Sequence, residues 1–274
     1  MSSVYYWSYI LNLNLVDKSV IVTGSGSNIG RAIALAFARE GAKVAIVDID
    51  QAQCNKVAKE AQTGGASQVL AIPTDVTDWE AVQAMVSLVE FEFGQIDVLV
   101  NNVGWTLDRL FIDKPRQEWE REIQLNLWSN INCTRAVLNG MIKRCAGSIV
   151  NIGSDAGRMG EFREAVYGAT KAGVIALSKS LARENGRKGI RFNTVCPGTT
   201  MPDSDEEIGE QSIWATGMKE WNTPEMRERI SKAYPLRRVG RPDDVSNAVL
   251  FMASDASSFI TGQTLSVSGG YTMM

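Results

Sequence analysis

Ser19-Val20-Ile21-Val22-Thr23-Gly24-Ser25-Gly26-Ser27-Asn28-Ile29-Gly30-Arg31-Ala32-Ile33-Ala34 is the stretch on which the fold of this chain turns. Val20, Ile21 and Val22 make a continuously apolar, β-branched run, the pattern of a strand covered on both faces. Small residues dominate from Thr23 to Gly30, and from Arg31 the apolar positions recur with a helical period. A strand that passes through small residues straight into a helix brings the unpaired amides of the helix's positive end close to a pyrophosphate. Gly24, Ser27, Asn28, Ile29 and Gly30 are therefore the expected phosphate-facing residues. Asparagine is the non-glycine residue that best accepts a positive φ, so Asn28 is expected to keep the loop's shape while adding a side chain beside the phosphates.

The same alternation runs outward along the chain. Residues 43–47, 69–72, 98–100, 148–152, 191–195 and 265–267 are short apolar runs, whereas 51–62, 79–93, 118–141, 165–184 and 243–253 carry helical periodicity. About seven strands, each but the last followed by a crossover helix, predict a single-domain, doubly wound α/β fold: a parallel sheet with helices on both faces. Residues 1–16 read as an N-terminal arm and 17–274 as the α/β domain. A polar, acidic stretch at about 199–235 is too long for an ordinary connection and reads as a lid insertion. Ligands of such sheets lie at the carboxyl ends of the strands, so residues just after each strand matter most.

Composition narrows the chemistry. The 274 residues carry 28 Lys and Arg against 31 Asp and Glu, a net charge of -3, with no polybasic block to favour nucleic acid or anionic lipid. Histidine is absent, which removes every Ser-His-Asp, Cys-His and HExxH scheme and leaves Tyr, Lys, Asp or Glu for acid-base work. Cys54, Cys133, Cys145 and Cys196 are far apart and show no CxxC, so buried free thiols in a reducing compartment are expected and no metal site. The arm holds Tyr5, Tyr6, Trp7, Tyr9, Ile10 and Leu11 with no Lys or Arg before Val16. It lacks the charged start of a secretory signal, and no run is long enough to span a membrane. The expectation is an arm packed on this domain or on a neighbouring subunit, and a cytoplasmic address.

The second predicted strand ends at Asp48, 24 residues after Gly24. A carboxylate there accepts hydrogen bonds from both hydroxyls of an adenosine ribose and repels a 2′-phosphate. Neither Arg nor Lys occupies positions 25, 27, 49 or 50. NAD is the expected dinucleotide in preference to NADP.

Tyr167 and Lys171, four residues apart in a predicted helix, lie on one face of it. Ser154 follows the strand predicted at 148–152, and Asn126 sits among Ile123, Leu125 and Leu127, where an amide needs a partner. Each element is common by itself. Together, in a chain without histidine, they are the candidate proton-transfer apparatus.

From about Leu15 onward the chain resembles the short-chain dehydrogenase/reductase family. Its loop is similar to the family's TGxxxGxG, with Asn28 at the middle glycine. The likeness continues through Asp75-Val76, Asn101-Asn102-Val103-Gly104, Asn126, Ser154, Tyr167, Lys171 and Cys196-Pro197-Gly198. The resemblance implies a Rossmann fold, usually tetrameric, that oxidises a secondary alcohol with NAD. It implies Tyr167 as the acid-base, its phenol lowered by Lys171 and by the positive nicotinamide. Lys171 would also hold the nicotinamide ribose, Ser154 would bond the carbinol oxygen, and Asn126 would anchor a water chain. Asp48, Ile49, Asp75 and Val76 are implied at the adenosine, Asn101, Asn102 and Gly104 at the cofactor's middle, and Pro197, Gly198, Thr199 and Thr200 as further contacts.

Four strings narrow the likeness: Asn101 to Trp105, Gly153 to Arg158, Glu164 to Tyr167 and Leu265 to Met273. They resemble the sub-family of 2-hydroxycyclohexanecarboxyl-CoA dehydrogenase and related 3-hydroxyacyl-CoA dehydrogenases, which implies a cyclic or aromatic CoA thioester as substrate. Trp105, Trp214 and Trp221 then either enclose an apolar ring or serve as packing anchors. Arg158 and Arg163 are placed to meet an anionic group, and Arg227, Arg229 or Lys232 to meet the CoA. The acidic run Asp203, Asp205, Glu206, Glu207 and Glu210 reads as a solvated loop. Two alternatives stay open: a free cyclic or aromatic alcohol as substrate, and a catalytically poor subunit in a hetero-oligomer with an active homologue.

Overall fold

A computed structural model describes residues 12–274. The aromatic part of the arm, residues 1–11, lies outside the described residues. At the arm's described end Leu15 is buried, and Asn14 donates from Nδ2 to the Asp255 carboxylate at 3.4 Å, so this part lies on its own domain.

Seven strands form one sheet: β1 (Ser19–Thr23), β2 (Lys43–Asp48), β3 (Gln68–Pro73), β4 (Val98–Asn101), β5 (Gly147–Ile152), β6 (Ile190–Pro197) and β7 (Thr264–Val267). Their order is β3-β2-β1-β4-β5-β6-β7, and every pairing is parallel. The chain winds outward from β1 in one direction and from β4 in the other, which opens a crevice at the carboxyl ends where these two strands part. Every residue of β1 and β4 is buried, as their apolar runs require.

Side chains alternate between the faces. Val20, Val22, Val44, Ile46, Val100 and Val150 pack with α1 (Asn28–Arg39), α2 (Gln51–Thr63) and, through Val245 and Val249, α9 (Pro242–Ala253). Ile21, Ala45, Val47, Leu99 and Ile149 turn to the other face. There they meet Val82, Val86 and Val89 of α3 (Trp79–Phe93) and Cys133, Val137 and Met141 of α5 (Ser129–Arg144). Asp50 starts α2 by accepting from the Ala52 and Gln53 amides, and Asp78 starts α3 by accepting from Ala81, each satisfying orphan donors of its helix.

The helix predicted at 118–141 runs without interruption from Arg116 to Arg144 but widens in its middle. α4 (Arg116–Ile123) passes through a π-helical turn, Gln124–Trp128, before α5 begins. The wider turn carries Asn126, which is fully buried and turned toward the segment after β4. A short α6 (Ala156–Met159) precedes α7 (Ala165–Asn185), and the lid contains α8 (Pro224–Ser231), whose first amides are capped by Thr223. Trp214, in the stretch expected to form a lid, packs with Met201 and with Val239 beyond it in a small separate core.

Three of the free thiols are buried as expected, but Cys145 is exposed, because it ends α5 in the left-handed conformation at φ 54°. Among the described residues no helix is long and apolar enough to cross a membrane, and no cluster of Cys, Asp or Glu is arranged to hold a metal.

Candidate active site

A cleft of about 780 Å³ runs along the carboxyl ends of β1, β2, β4, β5 and β6. Gly24, Ser27, Asn28, Ile29 and Gly30 line one stretch of it. Asn28 has φ 43°, the left-handed conformation expected of it, which is the reason asparagine is tolerated among glycines. Its Nδ2 lies 3.5 Å from the Thr200 carbonyl oxygen, and its Oδ1 is buried without a hydrogen-bond partner. Gly30 has no room for a side chain, since a Cβ there would fall 1.9 Å from the Gly24 oxygen. Asn102 ties the end of β4 to this loop by donating to the Thr23 and Gly24 carbonyls at 3.1 and 3.0 Å.

The lid lies on the same loop. Ser27 donates from Oγ to the Glu207 carbonyl at 3.1 Å and accepts from the Gly209 amide at 3.2 Å. Arg31 and Glu207 form an ion pair at 3.5 Å, and Lys56 donates to the Glu206 carbonyl at 2.6 Å. Asp203, Asp205, Glu206 and Glu210 are exposed, as a solvated loop requires, but Asp203 and Glu207 also serve as anchors through Arg241 and Arg31.

Asp48, Ile49, Asp75 and Val76 line the cleft beyond β2 and β3. Asp48 accepts the Gly26 amide at 2.8 Å, while burial holds its carboxyl above the usual carboxylate range. Among the described residues the only basic ones lining the cleft are Arg121, Arg163 and Lys171, none of them next to Asp48 in sequence or strand. A 2′-phosphate therefore meets a carboxylate with no lining cation beside it.

Beyond β5 the chemistry converges. Gly157 of α6 is so close to α7 that a Cβ would lie 2.5 Å from the Ala172 amide nitrogen. Lys171, 2% exposed, donates from Nζ to the Ile152 carbonyl at 2.8 Å and lies 5.6 Å from the centre of the Tyr167 ring. Burial pulls the lysine down to about 8. The phenol of Tyr167 is pushed well up by burial first and by the neighbouring Glu164 second, and its hydrogen bond with Ser154 pulls the other way. The expected lowering by Lys171 is thus absent from the protein alone: desolvation outweighs a lysine whose ammonium is turned to a main-chain oxygen.

Residues 24–272 match the family model described as enoyl-(acyl carrier protein) reductase. Over 259 residues the chain is 38% identical to the 3-oxoacyl-[acyl-carrier-protein] reductase FabG of Staphylococcus aureus, a match that covers 94% of this chain and 99% of that one. The chain belongs to the short-chain dehydrogenase/reductase family. Among solved structures, a 7α-hydroxysteroid dehydrogenase complexed with NADH and 7-oxoglycochenodeoxycholic acid is similar with a TM-score of 0.84 at 33% identity, covering 95% of this chain and 98% of that one. An NAD⁺-bound xylitol dehydrogenase gives 0.83 at 30%, covering 94% and 100%.

The cleft also takes residues from the end of β6: Pro197, Gly198, Thr199 and Thr200 all line it. Gly104, Trp105, Arg163, Trp214 and Trp221 line it too. Trp105 carries the Arg121 guanidinium 4.3 Å above its ring centre, and Trp214 is both a lining residue and part of the small core with Met201 and Val239.

Three residues read from the sequence as site residues stand elsewhere. Asn101, expected at the cofactor's middle, is buried off the cleft because its Nδ2 donates to Asn151 Oδ1 at 2.8 Å and Thr134 Oγ1 at 3.0 Å. Asn126 does not line the cleft: it accepts the Trp105 amide at Oδ1 and donates from Nδ2 to the Trp105 carbonyl, both at 2.8 Å. Arg158 was expected to face an anionic substrate group, and instead points to the chain's end. It donates to Ser266 Oγ at 2.7 Å and to the Met274 carbonyl, and pairs with Asp155 at 3.4 Å, because α6 turns it toward β7. The CoA candidates are also partly spent: Arg227 bonds Asn222 at 2.7 Å and the Pro202 carbonyl, and Lys232 pairs with Glu228 at 3.2 Å.

Asp108, Arg121 and Glu164 line the cleft although none of them was read from the sequence as a site residue. Behind them Lys114 and Glu122 form a buried ion pair, with Thr106 donating to the same Glu122 oxygen at 2.8 Å. Burial, with Asp108 and Glu161 beside it, pushes the Glu164 carboxyl up to about 8. The available signal was position alone: Asp108 follows β4 and Glu164 precedes Tyr167 by three residues.

Proposed function

We propose that this chain oxidises a secondary alcohol to a ketone with NAD, on a substrate with a cyclic or aromatic 3-hydroxyacyl thioester character. The observation that carries the reading is that Ser154, Tyr167 and Lys171 share one continuous cleft with the Gly24–Gly30 loop and Asp48. The cleft fits a dinucleotide: the loop is cleared of side chains at Gly30, and Asp48 meets no lining cation. Gly24 to Gly30 would hold the pyrophosphate by its amides, Asp48 the adenosine ribose, and Asp75 and Val76 the adenine.

When bound, the nicotinamide supplies the acceptor for the hydride leaving the carbinol carbon. Tyr167 takes the hydroxyl proton at its phenol oxygen, Ser154 donates to the carbinol oxygen as its charge changes, and Lys171 orients the ribose. The cationic ring adds the positive charge that the buried phenol needs. Asn126 acts by holding the Trp105 segment in place.

Trp105, Trp214 and Trp221 supply an apolar wall for the ring. The acyl character rests on the local strings and on the 3-oxoacyl relatives, whose ketone is the oxidised counterpart of a 3-hydroxyacyl group. A free cyclic alcohol is the second reading, favoured by the engagement of Arg227 and Lys232 within the lid. The tetramer expected from the family fits Trp128 and Phe259, which are exposed at 47% and 103%, and the free thiols fit a reducing, cytoplasmic address.

Fluorescence titration with NAD and NADP followed by turnover tests this. Saturable NAD binding and NADH production from cyclic 3-hydroxyacyl-CoA esters support the reading. Production from cyclohexanol-type alcohols alone selects the second. Absence of NAD binding at millimolar concentration overturns both.

A further inference from the structure

Resting on the alcohol-oxidising reading above, we infer that Arg121 selects substrates that carry an anionic group, a carboxylate or a phosphate, besides the carbinol that reacts. Arg121 is exposed on α4 and lines the cleft together with Leu125, four residues further along, so this face of the helix borders the cleft. Its guanidinium lies 4.3 Å above the centre of the Trp105 ring. Trp105 is itself fixed by the two hydrogen bonds of 2.8 Å between its main chain and Asn126. The residue before it, Gly104, lies so close to the reacting groups that a Cβ there would sit 3.2 Å from Lys171 Nζ. The cation therefore rests on a positioned ring, next to the end of the cleft where the carbinol reacts.

The other charges of α4 are spent within the protein. Arg116 pairs with Glu120 at 2.8 Å, Glu118 pairs with Arg109 at 3.3 Å, and Glu122 is held by Lys114 in the buried pair. Among the described residues Arg121 has no carboxylate within ion-pair distance, and its side chain donates no hydrogen bond. Contact with an aromatic face holds a guanidinium in place but gives its N–H donors no acceptor. Those donors form a planar fork that suits two oxygens of one carboxylate or phosphate. Arg163, the other exposed cation of the lining, has the Asp108 carboxyl as a charged neighbour and lies over the Phe162 ring at 5.5 Å. At Arg121 a ligand's negative charge displaces no carboxylate of the protein.

The test compares NAD-dependent oxidation, by the full chain, of 2-, 3- and 4-hydroxycyclohexanecarboxylate with that of their methyl esters. A second comparison sets 2-hydroxycyclohexanecarboxyl-CoA against the N-acetylcysteamine thioester of the same acid. In at least one comparison the anionic member is expected to exceed its neutral counterpart in kcat/KM by about tenfold or more, as hydrogen bonds to a charged group are the stronger kind. Preference in the first comparison assigns the charge to a ring carboxylate, and preference in the second to the CoA phosphates. Arg121→Ala is expected to bring the ratio to about one, and Arg121→Lys, which keeps the charge without the planar fork, to retain part of it. A wild-type ratio of about one in both comparisons, or an equal ratio in wild type and both variants, overturns the assignment while leaving alcohol oxidation standing. Failure with all of these substrates, in protein that still binds NADH by fluorescence, removes the alcohol-oxidising reading and this inference with it.

Discussion

Asn126 and Trp105 hold each other through two hydrogen bonds of 2.8 Å, the asparagine amide pairing with both main-chain groups of the tryptophan as another strand would. Gly104 lies against this pair, where a Cβ would sit 3.1 Å from Asn126 Oδ1 and 3.2 Å from Lys171 Nζ. Through that contact the π-helical turn, the segment after β4 and Lys171 form one packed unit.

Asn126→Ala should therefore loosen the segment that carries Trp105 and not merely remove a polar group. Two buried main-chain groups lose their partner, which costs about 1–3 kcal/mol for each left unpaired. A lower melting temperature together with a lower kcat/KM is the expected outcome. Asn126→Asp should do no better, because the carboxylate can accept from the Trp105 amide but cannot donate to its carbonyl. An Asn126→Ala protein that melts at the wild-type temperature would count against the clamp.

Tyr167→Phe removes the proton acceptor and leaves the apolar ring. The expected loss in kcat is about a hundredfold to ten-thousandfold, with NADH binding by fluorescence retained. Because burial holds the phenol above its ordinary value, alcohol oxidation by the wild type should rise with pH across the neutral range. Residual activity of the variant should lack that rise.

At the phosphate loop, the two glycine-like positions should respond in opposite ways. Gly30→Ala places a Cβ against the Gly24 oxygen and is expected to abolish NAD binding or folding. Asn28→Gly keeps the positive φ and removes the unpartnered Oδ1, so NAD should bind as well or better. Asn28→Ala pays about 1–2 kcal/mol for the left-handed backbone. Titration calorimetry and thermal melting of the three variants check the order.

Asp48→Ala should shrink the preference for NAD over NADP, as it removes both the ribose acceptor and the charge that repels a 2′-phosphate. The ratio of kcat/KM for the two cofactors is the measurement. A ratio unchanged by the substitution would move the adenosine ribose away from Asp48.

Glu164 links pH to stability. Its carboxyl titrates near 8 in the folded protein against 4.5 ordinarily, so between those values the folded chain keeps a proton that the unfolded chain has lost. Stability should fall as pH rises through that window, by at most about 1.4 kcal/mol per pH unit, and level off above it. In Glu164→Gln this component is gone, and the melting temperature should drop less between pH 5 and pH 8 than in the wild type. Parallel pH profiles for the two proteins would refute the shift.

The seven strands, their parallel arrangement and the strand-turn-helix at Gly24–Gly30 were legible in the sequence because they rest on local patterns: continuous apolar runs, helical periodicity and small residues at a tight turn. So were Asp48, Ser154, Tyr167 and Lys171, whose spacing along strand ends and one helix face places them in a single crevice. The π-helical widening at Gln124–Trp128 was not legible, since residues on either side of it have ordinary helical periodicity and the partner of Asn126, Trp105, is distant in sequence.

What the amino-acid order alone determined was therefore the fold, the candidate reacting groups and the preference for NAD. Only the tertiary structure decided which partner each polar side chain finds. It sends Arg158 to Ser266 and Met274, spends Asn126 on Trp105, and brings Asp108 beside Glu164 across 56 residues of chain. The physical reason is that apolar periodicity is a property of neighbouring residues. The cost of burying a charge or an amide depends on segments distant in sequence, and that cost sets the partners and the pKa shifts.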